Sequence, residues 1–133
     1  MKTVLLDTHT WAWSLSGDAR LSDKAVAMIE QAESVFVSPI TFFEIGQKVR
    51  IGKWPEMEPF VSRLAAVLGE QGGRIATLAP EICLQAAVMD WAHRDPFDRI
   101  LAATAISLDM PLISADTAFD GLANFKGWIA RLW

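Results

Sequence analysis

Short apolar runs alternate along this chain with longer stretches in which apolar residues recur every three or four positions. Thr3–Leu6 is short, apolar and β-branched, which predicts a buried strand, and Thr8 is placed to cap a helix through about Leu15 that Gly17-Asp18 ends. Ser22 precedes Ala25, Val26, Met28, Ile29 and Ala32, an amphipathic helix whose polar face carries Glu30, Gln31 and Glu33. Val35–Val37 predicts the second strand. Ser38-Pro39 then gives a side-chain cap and a proline at the first turn of a helix reaching about Arg50, with Gly52 stopping it.

After a turn bracketed by Pro55 and Pro59, the positions Phe60, Leu64, Ala65, Val67 and Leu68 predict a fourth helix, broken at Gly72-Gly73. Arg74–Leu78 reads as the third strand, and Pro80 opens a helix expected to run to about His93. Asp95-Pro96 starts another, through Ala102, Ala103, Ala105 and Leu108. Leu112–Ser114 is the fourth strand, Asp116 begins a short helix ending at Gly121, and Trp128–Leu132 supplies the fifth strand. Helices between most strands imply an α/β class, one domain over residues 1–133 with a parallel sheet covered on both faces.

Composition narrows this picture. With 133 residues, 52% hydrophobic and 21% charged, the chain has enough apolar surface for one core and is not of the disordered class. No apolar run approaches the roughly 18 residues of a membrane span, and the N-terminus reads as strand, not signal peptide. The single cysteine, Cys83, excludes an internal disulfide framework and a Cys-rich zinc site; within Ile82-Cys83-Leu84 it is expected to be a buried thiol, and the expected compartment is the cytoplasm. A net charge of −4 is a poor profile for non-specific nucleic-acid binding, so a nucleic-acid substrate would have to be held locally, through metal ions and a few Lys or Arg.

Candidate chemistry lies in four carboxylates. Asp7 directly follows the first strand, Asp116 follows Leu112-Ile113-Ser114-Ala115 at the end of the fourth, and Glu44 and Asp98 lie just inside helices opened by Pro39 and Pro96. In an open parallel sheet, strand C-termini and the following helix N-termini share one edge, where ligands bind. Like charges about 4 Å apart repel by roughly 1 kcal/mol in water and about 4 at an effective dielectric of 20. A cation relieves that repulsion, and an all-oxygen donor set suits Mg2+ or Mn2+. Taken singly, Asp7, Asp98 and Asp116 read equally well as helix N-terminal acids, and Glu44 as the partner of Lys48 at i, i+4. Four such acids at corresponding strand ends point to one centre.

Several motifs resemble those of the PIN-domain nucleases, and among them the VapC-type toxins of bacterial toxin–antitoxin pairs. They are Leu-Leu-Asp-Thr-His at 5–9, Phe-Phe-Glu-Ile-Gly-Gln-Lys-Val-Arg-Ile-Gly-Lys at 42–53, His-Arg-Asp-Pro-Phe-Asp-Arg at 93–99 with its Ala-rich helix, and Ser114-Ala115-Asp116. The resemblance runs from about residue 2 to the C-terminus and is carried most specifically by Asp-Pro-Phe-Asp-Arg. It implies a five-stranded parallel sheet of order 3-2-1-4-5 flanked by helices, with the family's four acids at Asp7, Glu44, Asp98 and Asp116. It further implies Mg2+- or Mn2+-dependent hydrolysis of an RNA phosphodiester, an antitoxin protein as partner, and a homodimer or higher assembly.

Asp7, Asp98 and Asp116 are expected nearest the metal, with Glu44 direct or through water. Thr8 and Ser114 are candidate hydrogen-bond donors to ligands or metal-bound water; Lys48, Arg50, Lys53 and Arg99 are candidate contacts to RNA phosphates. His93 is expected to order a loop and not to catalyse. Of six tryptophans most are expected in the core, with Trp11, Trp54 and Phe42-Phe43 flanking segments that form the antitoxin groove and dimer contact in the family. Two alternatives are a catalytically silent binding module on the same fold and a phospho-acceptor receiver domain. The latter needs an acidic pair after strand one and a Lys after strand five, which the chain lacks.

Overall fold

The run Thr3–Leu6 forms the central strand β1, and in the computed structural model, which describes residues 3–133, Val4, Leu5 and Leu6 are all but closed to solvent. Met1 and Lys2, included in the expected domain span, lie outside the described residues. β2 (Ser34–Val37) pairs with one edge of β1, Val4 opposite Val35 and Leu6 opposite Val37. β4 (Leu112–Ile113) pairs with the other, Leu5 opposite Leu112 and Leu6 opposite Ile113. β3 (Arg74–Ile75) and β5 (Arg131–Leu132) complete a five-stranded parallel sheet of order β3-β2-β1-β4-β5, as the resemblance implied. The winding direction reverses between β1 and β4, so the open crevice lies at the C-terminal ends of those two strands.

Alternating side chains of β1 feed two cores, because successive residues of a strand face opposite ways. Val4 and Leu6 pack with Trp11, Ala25, Ile45, Met57, Leu64 and Leu68. These come from α1 (Thr8–Ser16), α2 (Asp23–Gln31), α3 (Pro39–Arg50), the 3-10 segment Pro55–Arg63 and α4 (Leu64–Glu70). Leu5 faces the other side, with Ala102 and Ala105 of α6 (Pro96–Ser107) and Phe119 and Leu122 of the 3-10 segment Thr117–Leu122. The Ala-rich face of α6 lets it approach the sheet closely. α5 (Pro80–Val88) lies outside α6, with Ile82 and Ala86 against Ala103.

The helix caps follow the sequence at Ser22 and Ser38, whose hydroxyls accept from the amides of Ala25 and Ile40 at 3.0 and 3.1 Å. α1 is capped by Asp7, not by Thr8. It ends at Gly17, whose φ of +64° is open to glycine and whose amide donates to the Trp13 carbonyl. The expected fourth helix is split, because Pro59 has no amide to donate and the stretch before Leu64 winds as 3-10 helix. β3 stops at Ile75, an exposed edge residue, with one further bond from the Ala76 amide to the Val37 carbonyl. The fifth strand is likewise only Arg131–Leu132.

Cys83 is exposed, contrary to expectation. Only Ile82, Ala86 and Met89 of its neighbourhood turn inward, because α5 packs on a helix along one narrow stripe and leaves Cys83, Leu84 and Val88 outside. Trp11 is the one fully buried tryptophan; the other five are half-buried, and of the Phe42-Phe43 pair only Phe43 is exposed. No helix among the described residues is long and apolar enough to cross a membrane.

Arg99 also departs from expectation. α5 ends at Val88, short of His93, and the chain from Met89 to His93 wraps around the Arg99 guanidinium. Nε donates to the Ala86 carbonyl at 2.7 Å, Nη2 to Met89 at 2.6 Å, and Nη1 to Trp91 at 2.6 Å and His93 at 2.8 Å. With four N–H groups committed to backbone carbonyls, Arg99 is a clamp on this loop and not a free cation facing phosphate. Replacing it by Met should destabilise the fold by about 2–4 kcal/mol, since several charge-assisted bonds are lost at once. Urea denaturation measures this, and a loss below about 0.5 kcal/mol would contradict the clamp.

Candidate active site

Asp7 leaves β1 in extended conformation and turns its carboxylate back over the first turn of α1, where Oδ1 accepts from the Thr10 amide at 2.8 Å. Its other oxygen, Oδ2, accepts from the Ser114 hydroxyl at the end of β4. The same Ser114 oxygen accepts from the Asp116 amide at 3.0 Å, so one hydroxyl ties Asp7 to the turn that carries Asp116. Asp116 caps the following 3-10 segment through Oδ1, which accepts from the Ala118 amide at 2.9 Å, and its side chain stays exposed. Arg131 of β5 steadies this corner, donating to the Ser114 carbonyl and pairing with Asp120 at 2.8 Å.

Glu44 lies within α3 yet is only 6% exposed, so it is no ordinary surface acid. Its Oε1 accepts from the Thr8 hydroxyl at 2.7 Å and its Oε2 pairs with Lys48 at 2.8 Å. The Thr8 hydroxyl proton is thereby committed, which makes Thr41 the donor in the 3.1 Å contact between the two threonine hydroxyls. Asp98 is held from the opposite wall. Asp95 caps α6, accepting from the Phe97 amide at 2.9 Å, and Asp98 in the first turn meets His93 Nε2 through Oδ2 at 2.7 Å. His93 thus orders the loop before α6.

The four acids line one cleft of about 390 Å3, together with Asp95. Its cations are Arg20 and Lys48, and His9 and Trp13 form an aromatic wall. A larger groove of about 630 Å3, between α1, α2 and α4, contains none of the four acids. Burial pushes the Asp7 carboxyl above its usual value against the hydrogen bonds from Ser114 and Thr10. Asp98 is pushed up to about 6 by burial and by the neighbouring Asp95 and Asp116, with the His93 bond opposing. Burial and Lys48 hold the His9 imidazole below its ordinary value.

Carboxyl groups that resist ionisation, Asp7 through burial and Asp98 through burial beside like charges, are what a divalent cation reverses. The donor set also fits a hard cation, being oxygen throughout at the four acids. Among the described residues, the group of at least three ligating side chains with donor atoms within 4.8 Å of one another is His93, Asp95 and Asp98. Among the described residues no three of the four acids bring donor atoms within 4.8 Å of one another, a spacing that suits a small cation retaining several waters between itself and the protein.

Of the other sequence candidates, Thr8 and Ser114 are in place as donors to acids of the site. Lys48 reaches the cleft already paired with Glu44, while Arg50 and Lys53 are exposed and outside its lining. His9, Trp13, Arg20 and Asp95 line the cleft without having been singled out for it. His9 stands two residues beyond Asp7 in the first turn of α1, a spacing that signals its place; Arg20 arrives through an irregular loop that no periodicity reports.

The Asp98 shift has a consequence for stability. In the unfolded chain this carboxyl ionises near 3.8, and in the folded chain near 6, so between those values the folded state binds more protons. Its contribution is therefore full below about pH 4 and lost as pH rises through about 6. Asn at position 98 cannot ionise. Asp98→Asn should be more stable than the parent at pH 7.5 in metal-free buffer, by on the order of 2 kcal/mol, with the difference shrinking toward zero at pH 4. Urea denaturation with EDTA at both pH values checks this, and a variant less stable than the parent at pH 7.5 would contradict it.

Comparison with known proteins agrees with this geometry. Residues 4–124 match the family model described as PIN domain. Ribonuclease VapC22 of Mycobacterium tuberculosis is 30% identical over 117 residues, covering 87% of this chain and 88% of that protein. Among solved structures, a toxin–antitoxin complex from Klebsiella pneumoniae aligns with a TM-score of 0.63 at 19% identity, covering 95% of both chains. VapBC2 from Rickettsia felis, bound to a DNA fragment from its promoter, aligns at 0.66 and 15% identity over 98% of both chains. These likenesses leave no place for the receiver-domain alternative: the chain belongs to the PIN-domain family, in its VapC branch.

Proposed function

We propose that this chain is a divalent-metal-dependent endoribonuclease and the toxin of a type II toxin–antitoxin pair. The observation that carries the reading is the convergence of Asp7, Glu44, Asp98 and Asp116 on one cleft at the C-terminal edge of β1 and β4. Asp7, Asp98 and Asp116 are the residues that would hold Mg2+ or Mn2+, with Glu44 direct or through water. When bound, the ion offsets charge on the phosphodiester and makes water easier to deprotonate.

The chain's own residues do the rest. Ser114 and the Thr10 amide fix both oxygens of Asp7, so this acid presents itself in one orientation. Thr8 and Lys48 hold Glu44 at the floor of the cleft. The carboxylates orient the attacking water and one of them accepts its proton. With a net charge of −4, the protein grips RNA locally, through the metal and the few cations at the cleft. The kinship with a VapC ribonuclease and the toxin–antitoxin complexes among the structural neighbours support this reading, including a protein antitoxin as partner. Homodimer formation and a cytoplasmic location belong to the same proposal.

Purified protein freed of any partner should cut RNA with Mg2+ or Mn2+ and stop with EDTA. Folded Asp98→Asn and Asp116→Asn variants should lose at least about 100-fold, and Ser114→Ala, which frees Asp7 and unties the turn that carries Asp116, about 10- to 100-fold. Gel analysis of a labelled RNA reads all three. A folded Asp98→Asn protein cutting at the parental rate would overturn the site, and a metal-loaded parent that cuts no RNA would favour the silent binding module.

A further inference from the structure

Beside the acids, the mouth of the cleft carries a run of rings and cations, of which only Lys48, the partner of Glu44, already serves the acids. The His9 ring lies against Trp54 with centroids 4.7 Å apart and planes at 26°, and its centroid is 5.7 Å from that of Trp13, whose plane is tilted from it by 56°. Each indole has a cation over it: the Arg20 guanidinium 5.0 Å from Trp13, and the Lys48 ammonium 5.5 Å from Trp54. Trp13, Arg20 and Trp54 also line a second groove of about 240 Å3, with Met57, Phe60 and the acids Asp18 and Glu56. Trp13 and Arg20 are common to both hollows, so a strand whose phosphate lies at the acids passes directly into an aromatic groove.

We propose that His9, Trp13 and Trp54 form a stacking subsite for an unpaired base next to the scissile phosphate of single-stranded RNA. The inference rests on the ribonuclease reading and adds the substrate's form and the residues that hold it. Trp54 also packs on the core, which accounts for its buried edge. It does not account for His9, on the first turn of α1 two residues from Asp7, whose ring is partly covered by Trp54 while the residue stays open to solvent. A base is the occupant these features fit. Stacking needs only an open ring face and tolerates any sequence, and the adjacent cations meet the backbone that a base brings with it. Arg20 gives Nε and Nη2 to Asp18, which leaves Nη1 for a phosphate. Duplex RNA keeps its bases stacked inside the helix and cannot offer one to the rim.

The test is binding, so that it does not depend on cleavage. Fluorescence anisotropy with Mg2+ present measures the affinity of a labelled 2′-O-methyl single-stranded oligoribonucleotide, its duplex, and versions with one abasic nucleotide at successive positions. Single-stranded affinity should fall about tenfold in His9→Ala and in Trp54→Leu, with duplex affinity unchanged. One abasic position should weaken the parent by a similar factor and leave both variants unaffected. Circular dichroism confirms folding, and if Trp54→Leu does not fold, the exposed His9→Ala decides alone. Parental affinity in folded His9→Ala, or equal abasic losses in parent and variants, would overturn the proposal. So would unchanged RNA binding with weakened binding of a co-expressed antitoxin, which assigns the rim to a protein. A parent that shows the stacking pattern yet cuts no RNA would refute the nuclease reading and leave the subsite standing.

Discussion

Placing carboxylates out of water beside one another costs free energy, and the chain around the β1–β4 crevice is arranged about that cost. Asp7 and Glu44 are nearly closed to solvent, and Asp98 is mostly so. Glu44 is compensated within the protein by Thr8 and Lys48. Asp7 receives two bonds and Asp98 one side-chain bond, and both remain shifted toward the neutral form. The residual imbalance sits at the break in strand order, where a parallel sheet leaves room for a ligand. The single Ser114 hydroxyl matters here because it joins the two strand ends, so that the positions of Asp7 and Asp116 move together.

Much of this was legible in the sequence, and the reason is local. An acid at or just beyond the end of a buried strand has its position set by the strand; Asp7 follows β1 directly, and Asp116 lies three residues past the end of β4. Their competing reading as helix caps proved compatible with the site, because a carboxylate has two oxygens. Asp7 caps α1 with one and meets Ser114 with the other, and Asp116 uses only Oδ1 on the Ala118 amide. The i, i+4 pairing of Glu44 with Lys48 is likewise real, but between a buried acid and a partly covered lysine.

What the sequence withheld depends on how distant segments meet. Arg99 looked like a cation beside an acid; only the turn of the chain from Met89 to His93, together with the end of α5 at Ala86, brings four carbonyls around it. Cys83 looked buried from its neighbours, yet α5 rests on α6 and not on the sheet, so a narrow stripe suffices to seat it. Arg20 reaches the cleft through the loop after Gly17, and Trp13 from the body of α1. The net negative charge reads differently in this light. It disfavours broad attraction to RNA, so under the proposed reading recognition would fall to the metal, two cations and the rings at the rim.

The central claim is that the four acids make one divalent-cation centre. Electron paramagnetic resonance titration with Mn2+ tests it most directly, because free and bound ion are counted without reference to RNA. The expected result is saturable binding to the parent protein, displaced by Mg2+ and abolished in a folded Asp98→Asn, Asp116→Asn double variant. A folded parent that takes up no Mn2+ saturably, or a double variant that binds it undiminished, would contradict the claim.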